Sequence, residues 1–551
     1  MNVNIRNPNI QVLLHKVVTR TSATGNVSAT TGSGAPTAFS SSSTSSSTSS
    51  LAGPPSQTDS TSNIYDLTSW LGEHSVVRVQ KSVRDSAGVF SIEFVDQLTS
   101  GLHDTLYALI EPMDMFEIRF ASNAYQYSGA QGQQFPIMMR GFVSDIERSQ
   151  VMGSDGKPRN TVHVRGFDYQ KILQIIQIFN MPATPDVANL ITSFPLFSKW
   201  GPELNVQDST DFVLRVFNQV VNKYISEMQA AGATSGAALL EVATDIQVPS
   251  ALMSVQLGAF PAGNLQQFME AYLDIGPFNE FFIEDRDAGA WGPAGPYAVY
   301  RPTPCLGAVS RAALQPIQTS VTTGVSTDSQ LYPTANMVSI TTDSVIAITQ
   351  RRSDAGVANY FWVDAPRFSM NYDDLTRMYA GYATQQGAVP YYIQNYQNVN
   401  PALYGLRKME VSTQQGSINE TNAGNGTPAG DDRWNNQAAF LSWIDDRRNL
   451  LIALNQDNVI FESGVLRLAG YERIRAGSYV KIRFGATPDN PGGYIQSLYY
   501  AHSVTHVFEP YGNYLTEVEY DRGTNVADRI TQGNTGVSPY YAERISWSNS
   551  Q

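Results

Sequence analysis

Arg84–Asp96 reads RDSAGVFSIEFVD and Arg352–Asp364 reads RSDAGVANYFWVD, so two segments of the chain match at a constant offset of 268 residues. Six positions are identical, and in the first peptide they are Arg84, Ala87, Gly88, Val89, Val95 and Asp96. In the first peptide, Ala87-Gly88 forms a turn between two runs of alternating apolar residues. A repeat of this kind predicts that one β unit occurs twice in the chain.

The repeat continues beyond these peptides with lower identity. In both copies there follow a turn with a strand ending in Ile-Arg-Phe, then a longer strand, then a short strand that ends near a glycine. These elements are Pro112–Phe120, Met138–Arg148 and Thr161–Gly166 in the first copy, and Arg475–Phe484, Leu498–Phe508 and Thr516–Gly523 in the second. β-Hairpins resemble one another by chance, but four elements in one order favour a duplicated β domain, interrupted in its second copy by an insertion over roughly residues 365–461.

Changes of composition and periodicity divide the chain further. The expected units are an N-terminal arm with a Ser/Thr-rich linker (1–63), β domain I (64–169), an α+β insertion domain (170–335), β domain II (336–370 and 462–530), a mixed insertion domain (371–461) and a C-terminal tail (531–551). Asn4–Thr21 alternates enough to be either one strand or an extended arm.

Two helices are predicted in the first insertion and one in the second. Ser209 or Thr210 caps a helix, and Asn264 caps another. Their apolar faces, and the face of a third helix after the Gly/Asn-rich loop, consist respectively of Val213, Val216, Phe217, Val220, Val221 and Tyr224; of Leu265, Phe268, Met269, Tyr272 and Leu273; and of Phe440, Trp443, Ile444, Arg447, Leu451 and Leu454. Two strands, around Glu280–Glu284 and Tyr297–Arg301, follow the second helix.

Composition excludes several classes of protein. The chain has 551 residues, 42% hydrophobic and only 15% charged, with a formal net charge of −13. An acidic chain lacks the basic surface that binds phosphate, although it suits a channel to which nucleic acid must not adhere. The single cysteine, Cys305, permits neither an intrachain disulfide nor a cysteine zinc site. We expect no signal peptide and no membrane span, because no continuous apolar stretch of about 18 residues occurs.

No catalytic motif is evident, and we expect no catalytic, cofactor-binding or metal-binding residues. His502 and His506 lie four apart in a predicted strand, and the favoured interpretation is that they line a surface or interface rather than a metal site. Glu280, Glu284, Asp285 and Asp287 would suit a glycosidase only if two of them flank a cleft. Nearby Arg286 favours a solvated charged turn instead. The chain is therefore expected not to be an enzyme.

Several stretches resemble the baseplate hub proteins of contractile-tailed bacteriophages, over roughly Ser75–Thr524. They are Met138–Val143 with Val162–Tyr169, Phe278–Glu280 with Tyr300–Pro304, Arg351–Asp354 with Asn359–Phe361, Tyr404–Arg407, and Gly464–Gly470. Each stretch is loose, and their order along one chain makes the match specific.

The resemblance implies an α+β, mainly β, fold with two duplicated tail-tube-like antiparallel β-barrel domains and two α/β insertion domains. It implies a structural virion protein, a homotrimer whose pseudo-sixfold ring joins the hexameric tail tube to the trimeric spike and lets DNA pass. The implied partners are a tail-tube or tube-initiator protein, the central spike protein, and baseplate wedge or neighbouring tail proteins through the N-terminal arm. No cofactor and no membrane are implied, and genomic DNA is present only as passing lumen content. The implied location is the phage baseplate, after assembly in the host cytoplasm.

Two alternatives belong to other classes of protein. One is a tail-associated cell-wall hydrolase, which needs a convergent acid pair in a deep cleft. The other is a receptor- or carbohydrate-binding tail protein, which needs an exposed aromatic groove around Tyr391, Tyr392, Tyr396 and Tyr404. Tyrosine is also enriched at protein interfaces, so these four side chains fit interface packing as well.

Overall fold

A computed structural model provides the fold. It describes residues 7–17, 56–59, 64–96, 106–127, 135–152, 156, 158–179, 206–231, 239–248, 251–254, 262–287, 293–303, 337–364, 397–413, 415–416, 443–444, 447–448, 450–452, 454–455, 458–484, 494–510 and 513–525. β-Strands dominate this part of the chain, which confirms the expected α+β, mainly β, character.

The strands are numbered in chain order. They are β1 (Asn9–His15), β2 (Ser56–Asp59), β3 (Ile64–Asp66), β4 (Val77–Ser82), β5 (Val89–Val95), β6 (Met115–Ala121), β7 (Ile137–Met152), β8 (Pro158–Asp168), β9 (Gln177–Phe179), β10 (Val206–Asp208), β11 (Ala243–Ile246), β12 (Leu252–Ser254), β13 (Ala262–Asn264), β14 (Asn279–Arg286), β15 (Gly295–Pro302), β16 (Met337–Thr341), β17 (Val345–Arg351), β18 (Tyr360–Asp364), β19 (Lys408–Ser412), β20 (Gln415–Gly416), β21 (Glu462–Ala469), β22 (Ser478–Phe484), β23 (Tyr494–Phe508) and β24 (Tyr514–Asn525).

Helical segments are short and lie mostly in the insertions. The α-helices are Leu106–Leu109, Gln170–Ile175, Ser209–Arg215, Asn222–Ala231, Leu265–Tyr272 and Pro401–Tyr404; Val216–Val221 is a π-helix; and Thr68–Trp70, Ala124–Gln126, Thr342–Ser344 and Gln397–Val399 are 3₁₀-helices.

Fourteen strands form one continuous sheet in the order β17-β21-β24-β23-β4-β5-β8-β7-β6-β1-β3-β2, and β22 and β16 extend from β23. We call β1 with β3–β8 the N-terminal lobe, and β16, β17 and β21–β24 the C-terminal lobe. The pairing of β4 with β23 joins the two lobes. The expectation of two separate antiparallel barrels is therefore corrected in two respects. Neither lobe closes on itself among the described strands, and β16 lies parallel to β22.

Five strands of each lobe have the same order and direction. In the N-terminal lobe the order is β4-β5-β8-β7-β6, and in the C-terminal lobe it is β17-β21-β24-β23-β22. Every neighbouring pair in both series is antiparallel. The last three strands of each series follow one another along the chain in the same way.

The register of these strands is also the same. Residues of β7 and β23 correspond at an offset of 358, and residues of β8 and β24 at an offset of 354; for example, Ile146 pairs with Val164 and Val504 pairs with Val518. Two β-bulges occupy corresponding positions, Val143/Asp145 with Ala501/Ser503, and Ile118/Arg119 with Ile482/Arg483. A bulge inserts one residue and shifts the pairing, so two coincident bulges are a demanding correspondence.

The turn before the third of these strands in chain order is repeated as well. Met113 has φ 77° and its amide donates to the carbonyl of Val143. Gly477 has φ 79° and its amide donates to the carbonyl of Ala501. Positive φ is unfavourable for a residue with a side chain, so Met113 adopts a conformation that glycine adopts freely in the other lobe.

The match between Arg84–Asp96 and Arg352–Asp364 is wrong as a structural equivalence. By register, Val77 corresponds to Ile348, an offset of 271 rather than 268. The strand that takes the place of β5 in the C-terminal lobe is β21, which follows the second insertion. β18 instead pairs in parallel with β19 in a separate two-stranded sheet. The later elements of the repeat, from Pro112 and Arg475 onward, do occupy corresponding strands.

The N-terminal segment is a strand rather than an extended arm. β1 lies between β6 and β3 and is antiparallel to both, and the side chains of Val12 and Leu14 are buried. Because β1 intervenes, β3 runs in the same direction as β6, just as β16 runs with β22. The Ser/Thr-rich stretch lies outside the described residues except for the short strand β2.

The first insertion contains the expected helices and strands. Ser209–Ala231 is continuous apart from its π-helical middle, and Val213, Val216, Phe217, Val220 and Val221 are buried as predicted. The side chain of Asn264 accepts a hydrogen bond from the Gln267 amide at 2.8 Å, and the Gln267 side chain accepts from the Asn264 amide, which forms a capping box. β14 and β15 form the expected hairpin, and β11 pairs in parallel with β15.

The second insertion packs against the first. β20 pairs with β12, which in turn pairs with β10, so the two insertions contribute to one three-stranded sheet. Trp443, Ile444, Arg447, Leu451 and Leu454 are helical and buried, as their spacing predicted. Phe440, Tyr391, Tyr392, Tyr396 and the C-terminal tail lie outside the described residues.

Candidate functional site: the junction between the lobes

The lobes meet where β23 changes its partner. Up to Ala501 it pairs with β22, and from Ser503 to Phe508 it pairs with Val77–Ser82 of β4. The bulge at Ala501/Ser503 increases local twist, which is how a long strand leaves one neighbour for another. Phe508 stacks on Phe120 of the N-terminal lobe at 5.6 Å between ring centroids. The junction is thus a continuous backbone ladder with a shared aromatic core.

A buried lysine connects three elements beside this ladder. Lys81 of β4 donates through Nζ to Asp285 Oδ2 at 2.8 Å and to the Ile283 carbonyl at 3.1 Å, and its Nζ lies 3.5 Å from Asp168 Oδ2. Burial raises the pKa of Asp168 to about 6; Lys81 opposes this rise and Asp285 adds to it. Burial acts to lower the pKa of Lys81, but the two carboxylates outweigh it and the net shift is upward. The charge is therefore retained inside the protein and ties β14 of the first insertion to the N-terminal lobe.

Two residues between β21 and β22 bind the N-terminal lobe. Arg475 donates to the carbonyl of Ile137 at 2.6 Å. Glu472 accepts from the amide of Ser122 at 3.0 Å and from the Tyr127 hydroxyl at 2.9 Å. These contacts fix the C-terminal lobe against the ends of β6 and β7.

His506 lies on β23 opposite Val79 and is buried, which corrects the expected surface position. Its Nε2 lies 3.1 Å from the Ile474 carbonyl and its Nδ1 lies 3.0 Å from the Tyr514 hydroxyl, so Nε2 carries the proton and Nδ1 accepts. Burial, with a smaller contribution from Arg475, lowers the pKa of His506 to about 3. His502 is the extra residue of the bulge, and its side chain is partly exposed.

Glu280 belongs to a buried ion pair and not to the expected solvated turn. Its carboxylate accepts from the guanidinium of Arg301 at 3.1 Å and from the Tyr500 hydroxyl at 2.6 Å, and only 7% of the residue is exposed. Arg301 also donates to the Gly477 carbonyl at 2.7 Å. Burial raises the pKa of Glu280, and Arg301 and Tyr500 oppose the rise. This pair joins β14 and β15 to β22 and β23, so the first insertion is fixed to both lobes.

A third buried charge cluster lies within the N-terminal lobe. Glu117 accepts from Arg119 Nε at 2.5 Å and from Arg140 Nε at 2.7 Å, and His15 Nε2 lies 3.9 Å away. Burial acts to raise the pKa of Glu117, but the two arginines outweigh it and the net shift is downward. Burial lowers the pKa of His15 to about 4. The Arg140 amide donates to Asp285, which links this cluster to the lysine network.

The outer sides of the two lobes differ from the junction because they are exposed. β17 pairs with β21 on one side and, among the described strands, with none on the other. Ile346 and Ile348 of this strand are 60% and 39% exposed. At the far end of β7, Val151 and Met152 are 59% and 68% exposed. Exposed apolar residues on an edge strand are typical of a surface that another chain covers.

Within the described part of the chain, no group of three or more His, Cys, Asp or Glu side chains is arranged to hold a metal ion. No helix there is long and apolar enough to cross a membrane. Of the four tyrosines proposed for an aromatic groove, only Tyr404 is described, and it is partly buried in a short helix.

No family model and no curated protein matches this chain. Solved structures do match. A tail protein from Neisseria meningitidis MC58 is 9% identical, with 82% of this chain and 92% of that chain covered and a TM-score of 0.36. The 43 kDa tail protein of prophage MuSo2 from Shewanella oneidensis is 11% identical, with coverages of 83% and 93% and a TM-score of 0.35. The Escherichia coli c3393 protein, a component of the type VI secretion system, is 6% identical, with coverages of 85% and 77% and a TM-score of 0.32.

The family that the sequence resembles and the structures that the chain is similar to are in agreement, since both come from phage tails and related machines. All three identities are below 25% and all three TM-scores are below 0.5. We therefore base the functional proposal on the strand pairing of this chain.

Proposed function

We propose that the chain is a structural component of a phage-type tail, the baseplate hub, which forms a trimeric pseudo-sixfold ring between a hexameric tail tube and a trimeric spike. The observation that carries this proposal is the repeated five-strand order with two coincident bulges. Two lobes with one register are best explained as copies of one domain. Three chains with two such lobes each present six similar units around an axis, while the rest of the chain follows threefold symmetry.

The division into domains follows from this proposal. The tube-like domains are 64–169 and 336–370 with 462–530, and the insertion domains are 170–335 and 371–461. β18 lies at the boundary of the second insertion because it pairs with β19. β1 adds a strand to the first tube-like domain and has no counterpart among the described strands of the second.

The proposed partners follow the same symmetry. One face of the ring binds the tail-tube or tube-initiator protein, the other binds the central spike protein, and baseplate wedge or neighbouring tail proteins contact residues before β3. Genomic DNA passes through the lumen without being bound, which the net charge of −13 favours because like charges repel. The location is the virion, after assembly in the host cytoplasm.

The hydrolase alternative receives no support from the acidic residues that motivated it. Glu280 is buried, and its carboxylate is occupied by Arg301 and Tyr500. Asp285 is held by Lys81. A general acid must reach its substrate, so neither residue is placed for glycoside hydrolysis.

The test is the mass of the purified chain in solution by light scattering, combined with negative-stain imaging. A monomer has a mass of 60.4 kDa, and a trimer therefore has a mass of about 180 kDa. We expect the trimer, seen as a ring with a central channel and six similar densities. A monomer that persists at high concentration and with the spike protein present would contradict the proposal.

A further inference from the structure

We propose that the exposed edge of β17 in one copy of the chain pairs antiparallel with residues 145–150 of β7 in the next copy, with Glu147 opposite Arg351. This proposal rests on the ring proposed above and specifies its intersubunit contact. The occupant of each exposed edge is thus a second copy of this chain.

The argument begins with what the corresponding strands do inside the chain. β4 has neighbours on both sides, β5 and β23. β17 corresponds to β4, yet among the described strands it pairs only with β21. Likewise, after its bulge β23 pairs with β24 and β4, whereas β7 after the corresponding bulge pairs, among those same strands, only with β8. Each lobe therefore has one edge that its counterpart fills within the chain and that is left open here.

The register of the missing pair follows from the internal one. Within the chain, Thr505 lies opposite Gln80. Thr505 corresponds to Glu147 at the offset of 358, and Gln80 corresponds to Arg351 at the offset of 271. Continuing along both strands places Ser149 opposite Thr349 and Gln150 opposite Ile348.

The side chains at these positions are complementary. Glu147 and Arg351 are both exposed and of opposite charge, and cross-strand pairs of opposite charge are favourable. Ser149 and Thr349 suit a hydroxyl hydrogen bond. The exposed Val151 lies near the exposed Ile348 at the end of this ladder. A slip of one residue turns every side chain to the other face and breaks all of these pairs.

The contact is heterologous, since it joins two different strands. Such a contact produces a closed ring when the rotation between neighbours divides a full turn, and an open filament otherwise. The internal β23–β4 pairing relates the two lobes of one chain in the same manner, so three internal and three external junctions alternate around the proposed ring. Closure at three chains is therefore a consequence that can be tested.

Engineered disulfides provide the first test. In a Cys305→Ser background, the pair Ser149→Cys and Thr349→Cys in one chain is expected to give covalent trimers as the largest product on a non-reducing gel after mild oxidation. The register control, Ser149→Cys with Ile348→Cys, faces opposite sides of the sheet and is expected to give less than about a tenth of that product. Either single-cysteine variant is expected to form no trimer.

A charge exchange provides the second test and does not depend on oxidation. Glu147→Arg alone and Arg351→Glu alone are each expected to lower the trimer fraction in light scattering roughly tenfold, and the two substitutions together in one chain are expected to restore it. Far-ultraviolet circular dichroism checks that each variant is folded.

The outcomes separate the two proposals. Trimers in light scattering without the disulfide crosslink between positions 149 and 349, or with equal crosslinking in the register control, would overturn the strand pairing and leave the ring intact. Monomers throughout would overturn both. Crosslinked species that extend beyond three chains would support the strand contact and contradict the closed ring.

Discussion

Acid is expected to weaken the junction between the lobes through His506. The imidazole is buried beneath the β23–β4 ladder and is held neutral by the carbonyl of Ile474 on one side and the hydroxyl of Tyr514 on the other. In the unfolded chain its pKa is the ordinary 6.5, and in the folded protein burial lowers the pKa to about 3. Between these two values the unfolded chain binds a proton that the folded protein does not.

The sign and size of the effect follow from this difference. Stability rises with pH wherever the unfolded state binds more protons, so this contribution is complete above pH 6.5 and is lost as the pH falls toward 3. Each pH unit within this window corresponds to about 1.4 kcal/mol, and the full difference corresponds to about 5 kcal/mol. Between about pH 7.5 and pH 5, His506 alone should reduce the free energy of unfolding by about 2 kcal/mol.

The assay is urea unfolding of the wild type and of His506→Gln at about pH 7.5, 6.5, 5.5 and 5. Glutamine keeps a donor toward Ile474 and does not titrate, so the variant should be less stable at about pH 7.5 but should lose about 2 kcal/mol less on acidification. His15, whose pKa is also lowered, contributes equally to both proteins and cancels in the comparison. His163→Gln, a change at a partly exposed histidine, serves as the control. Equal pH dependence of the wild type and His506→Gln would refute the reasoning.

Two further substitutions test the packing of the lobes. Glu280→Gln should destabilise the protein by about 3–5 kcal/mol, because it leaves Arg301 buried without its counter-charge, whereas Glu284→Gln, on a partly exposed side chain, should cost about 1 kcal/mol or less; urea unfolding that finds the two variants equal would contradict the buried pair. Gly464→Ala should detach β17, because a β-carbon there would lie 1.8 Å from the carbonyl oxygen of Thr349; amide hydrogen exchange should then show loss of protection over β17, and unchanged protection would contradict the close approach.

The repeat shows what local sequence does and does not specify. The turn before β6 and the turn before β22 were found from sequence because each is followed at once by its strand, and both strands contain Ile-Arg-Phe. The peptide match at offset 268 failed because an Ala-Gly turn and alternating residues occur in many hairpins. The true counterpart of β5 is β21, and no residue near Arg352 indicates that the sheet is completed by a strand about a hundred residues later.

The buried charges could not have been predicted for the same reason. Glu280 lies close to Arg286 in sequence, and this proximity suggested a solvated turn. Its actual partners are Arg301, 21 residues away, and Tyr500, 220 residues away. Lys81 and Asp285 are separated by 204 residues. Helix caps such as Asn264 were predictable because their partners lie within one turn, whereas the junction is made by residues that only the fold brings together.

The position of the second insertion is consistent with the proposed ring. It leaves the C-terminal lobe directly after β17 and returns at β21, two neighbouring strands, so the sheet is completed around it without a change of order. It then packs on the first insertion through β20 and β12, where Gln415 donates to the Tyr300 hydroxyl at 3.0 Å. Both insertions are thereby gathered into one unit beside the sheet, and the exposed edges of β17 and β7 remain open. A chain that holds its unlike parts together in this way presents two like lobes with complementary edges, which is the requirement for closing six similar positions with three copies.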